Sequence, residues 1–126
     1  MPVPVVGVDL SKSVFQLSVA DANHRVIERK RLSRTQFHRF LAQTTSARLV
    51  MEALGTSNYW ARTAQLHGHE VKLLHAKHVK ACVRRTKTDA ADADALVLAD
   101  GDSSLLPIPM KSEKLQALQF SALQRI

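Results

Sequence analysis

The apolar positions of the chain change period several times, and each change marks an element. Val3 to Val8 is a continuous apolar run, the pattern of a central strand covered on both faces. Phe15, Leu17 and Val19 then alternate with Gln16 and Ser18, the period of two that gives a strand one buried face. Asp21-Ala22-Asn23-His24 reads as a turn and Arg25 to Leu32 as a third strand, closing an antiparallel meander. Ser33-x-x-Gln36 is a capping box, and it opens a helix whose buried stripe is Phe37, Phe40 and Leu41. Arg48 to Met51 is a short strand, followed by a turn at Gly55-Thr56-Ser57. Ser57 or Thr56 caps a second helix that packs Trp60 and Ala64, and Gly68 stands where a helix-ending glycine belongs. Glu70 to His75 is a fifth strand, followed by a basic, partly helical stretch and a helix from about Asp89 to Ala99.

The order β-β-β-α-β-α-β-α predicts an α/β domain: a mixed five-stranded sheet flanked by helices, in the ribonuclease-H-like arrangement. Gly101 to Pro109, with its glycine, serines and prolines, reads as a linker. Lys111 to Ile126 then repeats Leu115, Leu118, Ala122 and Ile126 at helical spacing without reaching a stop signal. The expectation is therefore a domain over residues 1–100, and a linker with the start of a helix over residues 101–126. That helix is expected to lead to a further C-terminal domain, the chain being a fragment.

Length and composition agree with this division. A chain of 126 residues, 45% hydrophobic and 23% charged, holds one domain with a true core. No apolar run reaches the length of a bilayer span, and the start lacks the features of a signal peptide. Cys82 stands alone, which leaves no internal disulfide and fits a reducing, cytoplasmic setting.

Charge adds more. Eighteen Lys and Arg against eleven Asp and Glu give +7, an excess that favours polyanionic partners. Val71 to Thr88 carries Lys72, Lys77, Lys80, Arg84, Arg85 and Lys87 and no acid, and Arg25 to Arg39 contains only Glu28. One such run can be merely a solvated face; two in so small a domain point towards nucleic acid. Lys12, Lys77, Lys80, Arg84, Arg85 and Lys87 are the candidate phosphate contacts.

Within this basic chain, a few acids occupy pointed positions. Asp9 follows the first buried strand and Glu52 follows the fourth, and in α/β sheets ligands gather beyond the carboxyl ends of strands. Asp89 and Asp92, three apart, share a helix face continued by Ala93, Leu96 and Ala99. The alternatives remain open: Asp9 and Glu52 can each solvate a strand end, and Asp89 can complete a Thr86-x-x-Asp89 capping box. Asp94 and Asp100 fall off that stripe or at the helix end and read as surface residues. Four carboxylates from these elements would form an oxygen-only site suited to Mg²⁺ or Mn²⁺ and to phosphodiester chemistry.

Three segments, Gly7-Val8-Asp9-Leu10-Ser11-Lys12, Met51-Glu52-Ala53-Leu54-Gly55 and Lys87-Thr88-Asp89-Ala90-Ala91-Asp92-Ala93, resemble the three motifs of the DEDD transposases. That family includes the Piv and MooV DNA invertases and the bridge-RNA-guided insertion-sequence recombinases. The resemblance runs from residue 3 to residue 126 and assigns Asp9, Glu52, Asp89 and Asp92 to the four catalytic, metal-holding positions. It implies the RuvC-like N-terminal domain of a DNA recombinase, with DNA and a guide RNA as partners and a homo-oligomer in the full-length protein. Family members carry a nucleophilic serine in a second domain, so Ser11, Ser57, Ser103 and Ser104 are not promoted to that role.

Other signals carry less. His67-x-His69 and His75-x-x-His78 invite a zinc site, but Cys82 is the only thiol and each pair straddles the end of an element. Trp60 with Tyr59 resembles a base-stacking platform, while the helical spacing of Trp60 with Ala64 is that of a core residue. Two other functional classes compete: a non-catalytic nucleic-acid-binding module, and half of an actin-like ATPase or sugar kinase. The second rests on Gly7-x-Asp9-x-Ser11 as a phosphate-binding turn, and is disfavoured because Gly7 is the one glycine in it and by the basic charge.

Overall fold

The computed structural model describes residues 3–10, 13–83, 91–102 and 107–108. Its elements are β1 (Val5–Asp9), β2 (Phe15–Ala20), β3 (Val26–Leu32), α1 (Arg34–Gln43), β4 (Arg48–Glu52), α2 (Ser57–Leu66), β5 (Glu70–Leu74), α3 (Ala76–Val83) and α4 (Ala91–Asp100). The strands form one mixed sheet in the order β3-β2-β1-β4-β5. β1, β2 and β3 pair antiparallel, and β4 and β5 add in parallel to β1. This is the ribonuclease-H-like sheet expected from the sequence. The expected helix over residues 111–126 lies outside the described residues. Pro107 and Ile108 are described, and Ile108 donates its N–H to Leu73 O at 2.7 Å, extending the β5 edge by one bridge.

Local signals explain most boundaries. Ser33 accepts from Gln36 N and the Gln36 side chain accepts from Ser33 N, completing the capping box. Gly68 takes φ +87° just after α2, a conformation that favours glycine. Thr56 makes no side-chain cap; instead Ser57 Oγ accepts from Leu54 N at 2.8 Å, tying down the turn before the helix.

The two sheet faces are separate cores. Val6, Val8, Leu17, Leu49, Met51 and Leu73 meet Phe37, Leu41, Trp60 and Ala64 of α1 and α2 on one face. Trp60 is core, edge-on to Phe15 with ring centroids 5.3 Å apart. On the other face Val5, Ala20, Val50 and Leu74 meet Val79 and Cys82 of α3 and Ala95, Leu96, Val97 and Ala99 of α4. Gly7 points to this second face, where an added Cβ would stand 2.2 Å from the backbone O of Ala93. No side chain fits there, so α4 lies directly on β1.

Ala93, Leu96 and Ala99 are buried as expected, but the placement of Asp94 and Asp100 at the surface is overturned: they are only 6% and 7% exposed. A single-stripe reading fails because α4 is covered by the sheet on one side and by α3 on another. Asp94 accepts from Ser18 Oγ, from Arg29 Nε at 3.2 Å and from Arg29 Nη2 at 2.9 Å. Asp100 gathers three nitrogen-bearing side chains: His24 Nε2 at 2.9 Å, Arg48 Nη1 at 3.3 Å and Lys72 Nζ at 3.2 Å. Burial pushes the Asp100 carboxyl up, but His24, Lys72 and Arg48 outweigh it and hold it below the ordinary aspartate range.

Two outcomes follow. Gly7→Ala should lower stability by roughly 1–3 kcal/mol, the usual range for overpacking, or more because the obstacle is backbone. Gly55→Ala, with nothing within 4 Å of its added Cβ, should change stability by less than about 0.5 kcal/mol. Denaturant midpoints of the two variants check this, and equal midpoints would refute the close approach. Asp100→Asn should remove about 3 kcal/mol at neutral pH, the low end for breaking a buried pair, since the cations keep partial access to water. A depressed carboxyl contributes stability above its unfolded pKa and loses it as pH falls through the folded value. The gap between wild type and Asp100→Asn should therefore close on acidification below about pH 4, as melting curves against pH would show.

Candidate carboxylate site at the sheet edge

Asp9 and Glu52 are the last residues of β1 and β4, both half-buried. The parallel pairing of these strands ends at Val8↔Met51, so the two acids stand one step beyond the same register pair. Strand alternation fixes their direction. Val8 and Met51 belong to the α1/α2 core, so their successors Asp9 and Glu52 turn to the α3/α4 face. On that face α4 runs over Gly7 with its N-terminal turn towards the carboxyl edge, and that turn carries Asp92, which is exposed.

The electrostatics show that these residues bear on one another. The Glu52 carboxyl is raised above its ordinary value, first by burial and then by the negative charges of Asp9 and Asp92. Lys80 of α3 and His75, just past β5, oppose the rise. Sequence reasoning assigned neither His75 nor Lys80 an influence on Glu52. The signal was their place directly after a strand that is parallel to β1 and β4.

Three of the four candidate carboxylates are thus brought to one edge. Asp89, the fourth, lies outside the described residues, as do Thr86 and the candidate phosphate contacts Lys12, Arg84, Arg85 and Lys87. Lys77 and Lys80 are exposed on α3, beside the edge where the carboxylates sit. Among the described residues, no group of three or more His, Cys, Asp or Glu side chains lies close enough to hold a metal ion by itself.

Of the histidine pairs, His69 and His75 take part in local hydrogen bonding. His69 is buried; its Nδ1 accepts from Ala47 N at 3.1 Å and its Nε2 donates to Leu41 O at 2.7 Å. Both ring nitrogens are occupied, which leaves none for a metal. His75 Nδ1 accepts from Lys77 N at 3.0 Å, and the His75 and His78 rings meet edge to face 6.2 Å apart. Tyr59, 49% exposed, pairs its hydroxyl with His38 Nε2 at 3.4 Å. No described helix is long and apolar enough to cross a membrane.

A raised carboxyl makes a specific demand on stability. The folded state favours protonated Glu52, so the ionised form weakens folding, and the effect grows from the ordinary glutamate pKa up to the raised one. Glu52→Gln should accordingly raise the melting temperature at pH 7 without divalent ions, with the gain vanishing below about pH 4. A variant that melts below wild type at pH 7 would show that Glu52 is a satisfied structural carboxylate.

Comparison with known proteins adds a separate line. The sequence profile of the DEDD transposase family of insertion sequence IS110, described as a transposase, matches residues 6–125. A protein of Sinorhizobium fredii named as a transposase (y4pF/y4sB) is 43% identical over 112 residues, covering 89% of this chain and 29% of the relative. The transposase for insertion sequence element IS1111A of Coxiella burnetii is 34% identical, over 93% of this chain and 32% of its own. The transposase for insertion sequence element IS1328 of Yersinia enterocolitica is 32% identical, over 98% of this chain and 36% of its own. The chain spans about a third of the length of the curated relatives it matches.

Proposed function

The chain belongs to the DEDD transposase family, and from that premise we propose that it is the metal-dependent, DNA-engaging catalytic portion of a transposase acting in strand cleavage and transfer. In this reading residues 1–100 form the catalytic domain, and residues 101–126 lead towards a further domain. Asp9, Glu52, Asp89 and Asp92 hold Mg²⁺ or Mn²⁺. The observation that carries the reading is the placement of Asp9 and Glu52 at adjacent parallel strand ends, one step beyond the Val8↔Met51 pair; burial and then the charges of Asp9 and Asp92 raise the Glu52 carboxyl there. Asp94 and Asp100 are held by basic side chains of the sheet, whereas the Glu52 carboxyl is raised by its burial and by its acidic neighbours, a cost that a hard cation would relieve.

The donor set fits such an ion: carboxylate oxygens at a half-open edge, with Cys82 buried in the second core and the buried imidazole of His69 engaged elsewhere. A divalent ion bound there supplies charge stabilisation to a phosphodiester and activates an attacking oxygen. The protein's own residues set the stage for that chemistry. β1 and β4 fix Asp9 and Glu52 on rigid strand ends, and α4, seated on Gly7, carries Asp92 to them. Lys77 and Lys80, with Lys12, Arg84, Arg85 and Lys87, supply the cations that let a DNA phosphate backbone approach an otherwise repulsive edge. A guide RNA, where the whole protein employs one, presents the same backbone chemistry to these cations.

Millimolar Mg²⁺ or Mn²⁺ should stabilise the wild-type chain by mass action, by about 1.4 kcal/mol when the ion is at tenfold its Kd. Asp9→Asn and Asp92→Asn should each abolish most of that gain while melting no lower than wild type in EDTA. A melting temperature indifferent to both ions in wild type, or an unchanged response in both variants, would remove the support for the metal site.

A further inference from the structure

β3 runs parallel to β1, because two antiparallel pairings separate them. Its carboxyl end therefore lies at the same sheet edge as Asp9 and Glu52, on the flank opposite α3. Two cations stand there. Arg31 pairs in register with Gln16, and Gln16 pairs with Asp9, so Arg31, Gln16 and Asp9 form one row across the sheet. Arg29 reaches Asp94 of α4, and Arg31, two residues on, shares that face. Arg31 is exposed nonetheless, since α4 is seated over β1. Arg34 begins α1 two residues beyond β3, where the chain passes the edge towards the α1/α2 face, and is also exposed. Arg29 and Lys30 are committed, to Asp94 and to Glu28 with the Phe40 ring, whereas Arg31 and Arg34 are ion-paired to no other described residue.

Along this edge basic residues flank the acids: Arg31 and Arg34 at and just past β3, Asp9 at β1, Glu52 at β4, and Lys77 and Lys80 on α3, the helix that follows β5. Four strand spacings of about 4.8 Å make the line roughly 19 Å long. At about 3.4 Å per nucleotide, the spacing along one strand of a duplex, that is the reach of roughly five or six nucleotides; a more extended single strand spans it with fewer.

We propose that Arg31 and Arg34 form a phosphate-binding flank that holds one nucleic-acid strand across the carboxyl edge of the sheet, on the far side of the acids from α3. This rests on the reading of the edge as a nucleic-acid-processing site, and adds the surface that the strand follows after passing the carboxylates. Cations on one flank alone would let a strand pivot away from the acids; cations on both flanks fix its line. The ligand chemistry is the phosphodiester backbone of a single strand, shared by DNA and RNA.

The test is anisotropy of labelled single-stranded DNA, single-stranded RNA and duplex DNA, titrated with the 126-residue chain over a range of salt. Arg31→Gln/Arg34→Gln should weaken single-strand binding and flatten the slope of log affinity against log salt by about 1.4, or 0.7 per lost contact. Arg25→Gln/Arg39→Gln, which removes equal charge away from this edge, should change the slope by less than half as much. Both double variants should melt within about 0.5 kcal/mol of wild type, the positions being exposed. Absent single-strand binding by wild type, an unchanged slope, or equal slope changes in the two variants would overturn the proposal. So would a loss confined to the duplex. The metal response of the melting temperature separates this from the carboxylate reading. An unchanged slope with that response intact overturns the arginine flank alone, while a flattened slope with no metal response supports the flank and counts against the metal site.

Discussion

Position 7 has no room for a side chain, because the carbonyl of Ala93 occupies the space a Cβ would take. The rest of the architecture depends on that contact. With α4 pressed onto β1, the small residues Ala95 and Ala99 and the larger Leu96 and Val97 can close the second core against the sheet and α3. The same seating sets the helix lengthwise, with Asp92 towards the carboxyl edge and Asp100 towards the amino edge. Eight residues of helix separate these two acids, about 12 Å at 1.5 Å per residue. Where α4 rests on the sheet thus decides which acids meet each other and which meet cations.

The two ends are treated differently. At the Asp100 end the sheet supplies Arg48 and Lys72, and the β2–β3 turn supplies His24, whose positive φ of 62° is tolerated in that turn. Midway, Ser18 and Arg29 satisfy Asp94. These contacts clamp the helix against β2, β3, β4 and β5. At the Asp92 end, the neighbouring groups that act on Glu52 include two acids, and Lys80 and His75 only partly offset them. A buried carboxylate with its cations supports a fold; a half-buried one that faces other carboxylates makes a demand that a ligand can meet. One short helix carries the first kind, Asp94 and Asp100, and brings Asp92 to the second, Glu52.

Much of this was legible in the sequence, for reasons that differ by element. The strands showed themselves through unbroken or alternating apolar runs, and the first helix through Ser33 and Gln36, because these signals are local. Asp9 and Glu52 were legible because each follows a buried strand, and the parallel pairing of β1 with β4 then sets them side by side. Asp94 and Asp100 were misplaced because their burial depends on α3 and on residues such as Arg29 and Lys72, distant in sequence. The role of Gly7 was equally hidden: an apolar run shows that a strand is covered, not how closely its cover approaches. Asp89 and the approach to α4 were named from the motif and lie outside the described residues.

We propose that the Asp92 end of α4 attracts a hard cation and that the Asp100 end, already filled by Arg48 and Lys72, does not. Paramagnetic broadening by substoichiometric Mn²⁺ in the amide NMR spectrum of the isotope-labelled chain measures this directly. Broadening should begin at Asp9, Glu52 and Asp92 and spare His24, Lys72 and Asp100, since the effect falls steeply with distance. Broadening that begins at Asp100, or that spreads evenly over exposed acids such as Glu28 and Glu70, would contradict the account.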